Sequence, residues 1–85
     1  MIYQITESQH FIRVSFPMIP PRERHGKEAA LEAVGLNVNG GGTDLVHKKS
    51  DIFIVRDEIL SLEDTKALIA KALSDDAERQ EVSDG

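Results

Sequence analysis

The stretch Asp51, Ile52, Phe53, Ile54, Val55, Arg56 sets four apolar residues in a row between charged ones. Successive side chains of a strand point to opposite faces, so this strand is apolar on both. Such a strand belongs in the middle of a sheet, with one face on the core and the other covered by a further layer or by a partner. The chain must therefore supply neighbours on both sides, and its 85 residues provide for one small domain with one thin core.

Two neighbours are legible near the start. Residues 2–6 and 11–16 are rich in Ile, Val, Phe and Tyr, and the intervening Glu-Ser-Gln-His is polar and of hairpin-loop length. Alternation in the second run sends Ile12, Val14 and Phe16 to one face, the expected core side, and Phe11, Arg13 and Ser15 to the other. Pro17, Pro20 and Pro21 then end the strand, because proline cannot donate to a ladder and biases the residue before it away from helix.

Pro21 suits the first turn of a helix, and Gly35 suits its stop. Gly26 lies inside that run at a cost of about 1 kcal/mol relative to alanine, so the helix is expected to be firmest over residues 27–34. A second helix starts after Ser61, whose hydroxyl can take an orphan amide, with Glu63 and Asp64 at the positive end of the dipole. Leu62, Leu68, Ile69, Ala72 and Leu73 share one face of it.

Half of the six glycines are consecutive: Gly40, Gly41 and Gly42. A phosphate-binding loop needs spaced glycines leading into a helix, whereas these lead into Thr-Asp-Leu-Val-His, which reads as a strand. The triplet is expected to be a flexible turn or loose hairpin loop. The expected architecture is α+β, a small antiparallel sheet with two helices on one face, in the order β-β-α-β-β-β-α. Residues 1–74 form the compact domain in this reading. Residues 75–85 form an acidic, mobile C-terminal tail, because Asp75, Asp76, Glu78 and Glu81 stand where a helix end prefers cations.

The net charge of −5 is uneven: residues 1–56 carry seven Lys/Arg against six Asp/Glu, and residues 57–85 carry three against nine. The acidic last third reads as a solubilising surface or as one that meets a basic partner. The absence of cysteine excludes a disulfide framework and a thiolate metal site. No apolar run approaches the roughly 20 residues of a membrane helix, and the alternating start lacks the form of a secretion signal. The expectation is a soluble, cytoplasmic protein with no membrane partner.

Catalytic equipment is sparse. His10, His25 and His47 fall in three different elements, and alternation along a regular strand would put Asp44 and His47 on opposite faces, so no metal is expected. Hydroxyls such as Ser8, Thr43 and Ser50 stand outside any nucleophile motif, and the adjacent carboxylates occupy polar stretches where they remain solvated. No cofactor and no catalytic residue is assigned. The favoured reading is a non-catalytic protein-binding module, an inhibitor, adaptor or assembly subunit, that contacts another protein or a second copy through Ile52, Ile54, Arg56 and Arg13. The alternative is a nucleic-acid-binding protein using Arg22, Arg24 and Lys27 with Lys48 and Lys49, against which stand the net acidity and the interspersed Glu23 and Glu28. A small enzyme or phosphate-binding domain built on the glycine triplet ranks below both.

Overall fold

Two β-hairpins alternate with two helices along the chain. The computed structural model describes residues 2–83, with side chains through residue 78. Its elements are β1 (Gln4–Glu7), β2 (Phe11–Pro17), α1 (Pro21–Ala33), β3 (Val38–Asp44), β4 (Lys49–Val55) and α2 (Leu62–Ser83). The sheet runs β1-β2-β4-β3 with every pair antiparallel, so the apolar strand β4 is central, as its composition requires. Both helices cover one face, which gives the expected α+β architecture.

Register decides which face is the core. Ile12 stands opposite Ile54 and Val14 opposite Ile52, so the inward trio of β2 draws Ile52 and Ile54 to the same side. These two isoleucines are 0% and 1% exposed and pack with Phe16, Leu31 and Ile69. They are core residues, which corrects the expectation that they form a partner-binding face.

Two strands, not three, lie between the helices. Strand β3 passes through the glycine triplet and ends at Asp44, and residues 45–48 make the turn into β4. Gly40, Gly41 and Gly42 are therefore part of an edge strand and not the expected flexible loop. Their conformational freedom serves a register shift between Val38 and Gly41, with Gly40 at φ 106°. At Gly41 a Cβ would stand 2.6 Å from the Asp51 carbonyl oxygen and 2.9 Å from Nη1 of Arg24. Only glycine lets the α1 arginine lie so close to the strand.

Helix α1 has its full first turn, with the Arg24 amide donating to the Pro20 carbonyl at 3.1 Å. At its end Gly35, at φ 93°, donates from its amide to Glu32 O at 2.9 Å, and the Leu36 amide donates to Leu31 O at 3.2 Å. This pair of bonds is the glycine C-cap with its apolar clasp, since Leu31 and Leu36 are both buried. Helix α2 opens as its sequence dictates: Ser61 Oγ accepts the Asp64 amide at 3.1 Å.

At its other end α2 continues through residue 74, where the compact domain was expected to stop, and runs to Ser83. Lys27 ties this part of the helix to the domain. Its ammonium lies 2.9 Å from Oδ2 of Asp76, and both side chains are buried where α1 meets α2. The Phe16 ring lies 5.8 Å from the same nitrogen. A carboxylate that would weaken an isolated helix end thus ties this one to the domain. Asp84 and Gly85, the last of the expected tail, lie outside the described residues.

Candidate protein-binding face

The sheet face away from the helices is built from the opposite parity of the same strands. Phe11 stands across from Val55, Arg13 across from both Thr6 and Phe53, and Ser15 across from Asp51. Phe11 is 37% exposed, while Phe53 and Val55 are half-buried by their neighbours. Among the described residues, Arg13 is exposed and makes no ion pair or side-chain hydrogen bond. Thr6, Glu7, Ser8, Phe11, Arg13 and Phe53 line a shallow cleft of about 320 Å³.

Polar chemistry on this face is mostly settled internally. Ser15 donates its hydroxyl proton to Asp51 Oδ1 at 2.7 Å, so a buried hydroxyl and a half-buried carboxylate satisfy one another. On β3, Gly42 has nothing within 4 Å of the position a Cβ would take, which leaves bare backbone beside Asp51. A partner can approach the main chain there.

Arg56 has a different role. Its Nη1 donates to the Ser8 carbonyl at 3.1 Å and its amide donates to the His10 carbonyl at 2.9 Å. The exposed side chain closes the β1–β2 loop onto the end of β4 and so braces that loop.

The basic residues do not gather as the nucleic-acid reading requires. Lys27 is buried in its ion pair, and Arg24 donates from Nη1 to Glu28 Oε2 at 3.2 Å, packed over Gly41. Arg24 Nε is buried with no hydrogen-bond partner among the described residues. Arg22, Lys48 and Lys49 are exposed. His25 Nδ1 lies 3.1 Å from the same Glu28 carboxylate.

Asp44 and His47 meet after all, because the strand stops at Asp44 and the chain turns. Asp44 Oδ1 accepts the amides of Val46 and His47, each at 3.0 Å, and Oδ2 lies 2.8 Å from the imidazole Nδ1. The His47 amide first and its ring second hold the Asp44 carboxyl below the ordinary carboxylate range. Asp51 does not join them, being engaged by Ser15. Among the described residues no group of three or more His, Cys, Asp or Glu could hold a metal ion. No described helix is long and apolar enough to cross a membrane.

Phe53 and Val55 are the functional candidates that sequence reasoning missed. The signal for them is the parity of β2: once Phe11 and Arg13 are outward, pairing with β4 forces a choice between Ile52/Ile54 and Phe53/Val55. Comparison of the chain with protein-family models, with curated proteins and with solved structures gives no match.

Proposed function

We propose that the chain is a non-catalytic protein-binding module, an inhibitor, adaptor or assembly subunit, that docks a partner protein on the uncovered face of its sheet. The observation supporting this reading is the patch of Phe11, Phe53 and Val55 around the exposed Arg13. Aromatic residues and arginine are enriched at the centres of interfaces, where a planar guanidinium grips a carboxylate or carbonyl and the rings shed water. Burying apolar area on such a face returns roughly 25 cal/mol per Å² before association costs. The patch stands on hydrogen-bonded central strands, which limits the ordering cost of binding.

The test is affinity capture from the native host with the wild type and with a Phe53→Ser, Arg13→Glu double variant, followed by quantitative mass spectrometry. A protein retained by the wild type should be depleted by the variant while the circular dichroism of the two chains agrees. Equal retention by both, or no specific retention by the wild type, would sink the reading.

A second reading is single-stranded nucleic-acid binding. It is favoured by one observation: Phe11 and Phe53 are diagonal neighbours on an open antiparallel face beside an arginine, the disposition of a base-stacking platform. It ranks below the first because Glu7 lines the same cleft and Asp51 shares the face, while Lys27 and Arg24 are committed elsewhere. Anisotropy with labelled single-stranded DNA and RNA at low salt separates the two. Binding that weakens with salt and disappears with Phe53→Ser would replace the protein partner.

A further inference from the structure

The described residues expose six large apolar side chains, and four of them, Ile2, Met18, Leu45 and Val46, lie at one end of the sheet. Ile2 precedes β1, Met18 follows β2, and the turn from β3 to β4 carries the other two; antiparallel pairing brings these positions together. The Met18 amide donates to the Lys48 carbonyl at 3.2 Å. Ile2, Tyr3, Phe16 and Pro17 share a cleft of about 230 Å³ with His47, Lys48 and Lys49.

Leu45 and Val46 are held outward by construction, being 76% and 85% exposed on a turn that the Asp44 carboxylate fastens through two amides and an imidazole. Lys48 completes the turn in the left-handed region, at φ 54°. The tip is thus pre-shaped, which lowers the ordering cost of binding. Beside it stand three consecutive basic side chains in a chain of net charge −5, and neither Lys48 nor Lys49 has an ion-pair partner among the described residues.

We propose that this end of the sheet is a second docking site, shaped for an acidic, apolar segment of another protein. The segment's apolar side chains pack on Leu45, Val46 and Met18 and enter the cleft, and its carboxylates meet Lys48 and Lys49. Charge complementarity selects this occupant. An anionic membrane, being broad, would also meet the exposed Asp75 of α2, whose neighbours Leu73, Ser74 and Ala77 flank Tyr3 at the same end. A narrow segment reaches the lysines without that repulsion. The site shares no residue with the Phe11, Arg13 and Phe53 patch and stands whether or not that patch binds a protein.

Panning a displayed library of random peptides against the full chain tests the proposal, with counter-panning on a Leu45→Ser, Val46→Ser variant and on a Lys48→Glu, Lys49→Glu variant. These side chains are exposed, so both variants should keep the wild-type circular dichroism. The expected clones combine Asp or Glu with Leu, Ile or Phe, bind either tip variant about tenfold or more weakly, and bind the Phe53→Ser, Arg13→Glu variant as well as the wild type. The proposal is overturned if no clones enrich, if those that do lack an acidic bias, or if they keep their affinity for the charge-reversed tip. It is likewise overturned if Leu45→Ser, Val46→Ser abolishes sedimentation with phosphatidylserine vesicles or concentration-dependent dimerisation, which would assign the tip to a lipid surface or to a second copy.

Discussion

The ammonium of Lys27 lies 2.9 Å from a carboxylate oxygen of Asp76, joining the middle of α1 to a point 49 residues further along the chain. Both groups are buried between the helices, so each depends on the other to offset lost hydration. Asp76→Leu would leave the ammonium over the Phe16 ring without this carboxylate and should destabilise the fold by about 3–5 kcal/mol. Adding Lys27→Met should recover most of that loss, because an apolar pair of similar volume needs no charge compensation. Urea denaturation of the single and double variants checks both statements; an equal loss in the two would show that the pair is not the source.

Gly26 and Gly41 should respond to alanine with opposite signs. At Gly26 the nearest atom to a new Cβ is Asp76 Oδ1 at 4.0 Å, ordinary contact in a helix interior, so Gly26→Ala should stabilise by up to about 1 kcal/mol. At Gly41 the new atom meets main-chain oxygen at 2.6 Å, and Gly41→Ala should cost roughly 1–3 kcal/mol as β3 moves away. Thermal melts of the two variants decide the signs.

Parity in β4 makes neighbouring substitutions very unequal. Ile54→Asp puts a carboxylate among Ile12, Val38 and the helices and should unfold the domain, a loss above about 4 kcal/mol. Phe53→Ser, on the half-exposed outer face, should leave a cooperative melt. Far-UV circular dichroism at room temperature distinguishes the cases, and a folded Ile54→Asp chain would refute the pairing of Ile54 with Ile12.

The β3–β4 turn should loosen in acid. A carboxyl held below its ordinary value, about 3.9 for aspartate, stabilises the folded state above that pH, and the contribution is lost as pH falls through the folded-state value. For Asp44 the cause is first the His47 amide and then its imidazole. In an NMR titration the amide signals of Val46 and His47 should move together, with a midpoint below that of an unfolded aspartate. Asp44→Asn should abolish this step, and a midpoint at or above the ordinary value would mean that the carboxylate does not hold the turn.

How far the sequence is readable varies with how local each cause is. Ser61 and Pro21 act within one turn of themselves, and the helix starts follow from them. Strand β2 declares its faces because Arg13 and Ser15 break its apolar run, whereas β4 is apolar on both faces and takes its parity only from pairing with Ile12 and Val14. Hence composition alone points to Ile52 and Ile54 where the fold exposes Phe53 and Val55. Leu45 and Val46 have high strand propensity and read as strand, yet the Asp44 side chain bends the chain under them. The glycine triplet has the composition of a turn, and the close approach of Arg24 and the Asp51 carbonyl to Gly41 is visible only in three dimensions. The role of Asp76 depends on a lysine in another helix, beyond any local rule.

That last pairing also sets an order of events while the chain is being made. Lys27 leaves the ribosome 49 residues ahead of Asp76, and until the later residue emerges its ammonium must stay hydrated, which keeps α1 from settling fully onto the sheet. The hairpins rest on local contacts and can pair earlier. The nascent protein is therefore expected to hold its paired hairpins over a wet inner surface, and closing the helical layer is an act of α2.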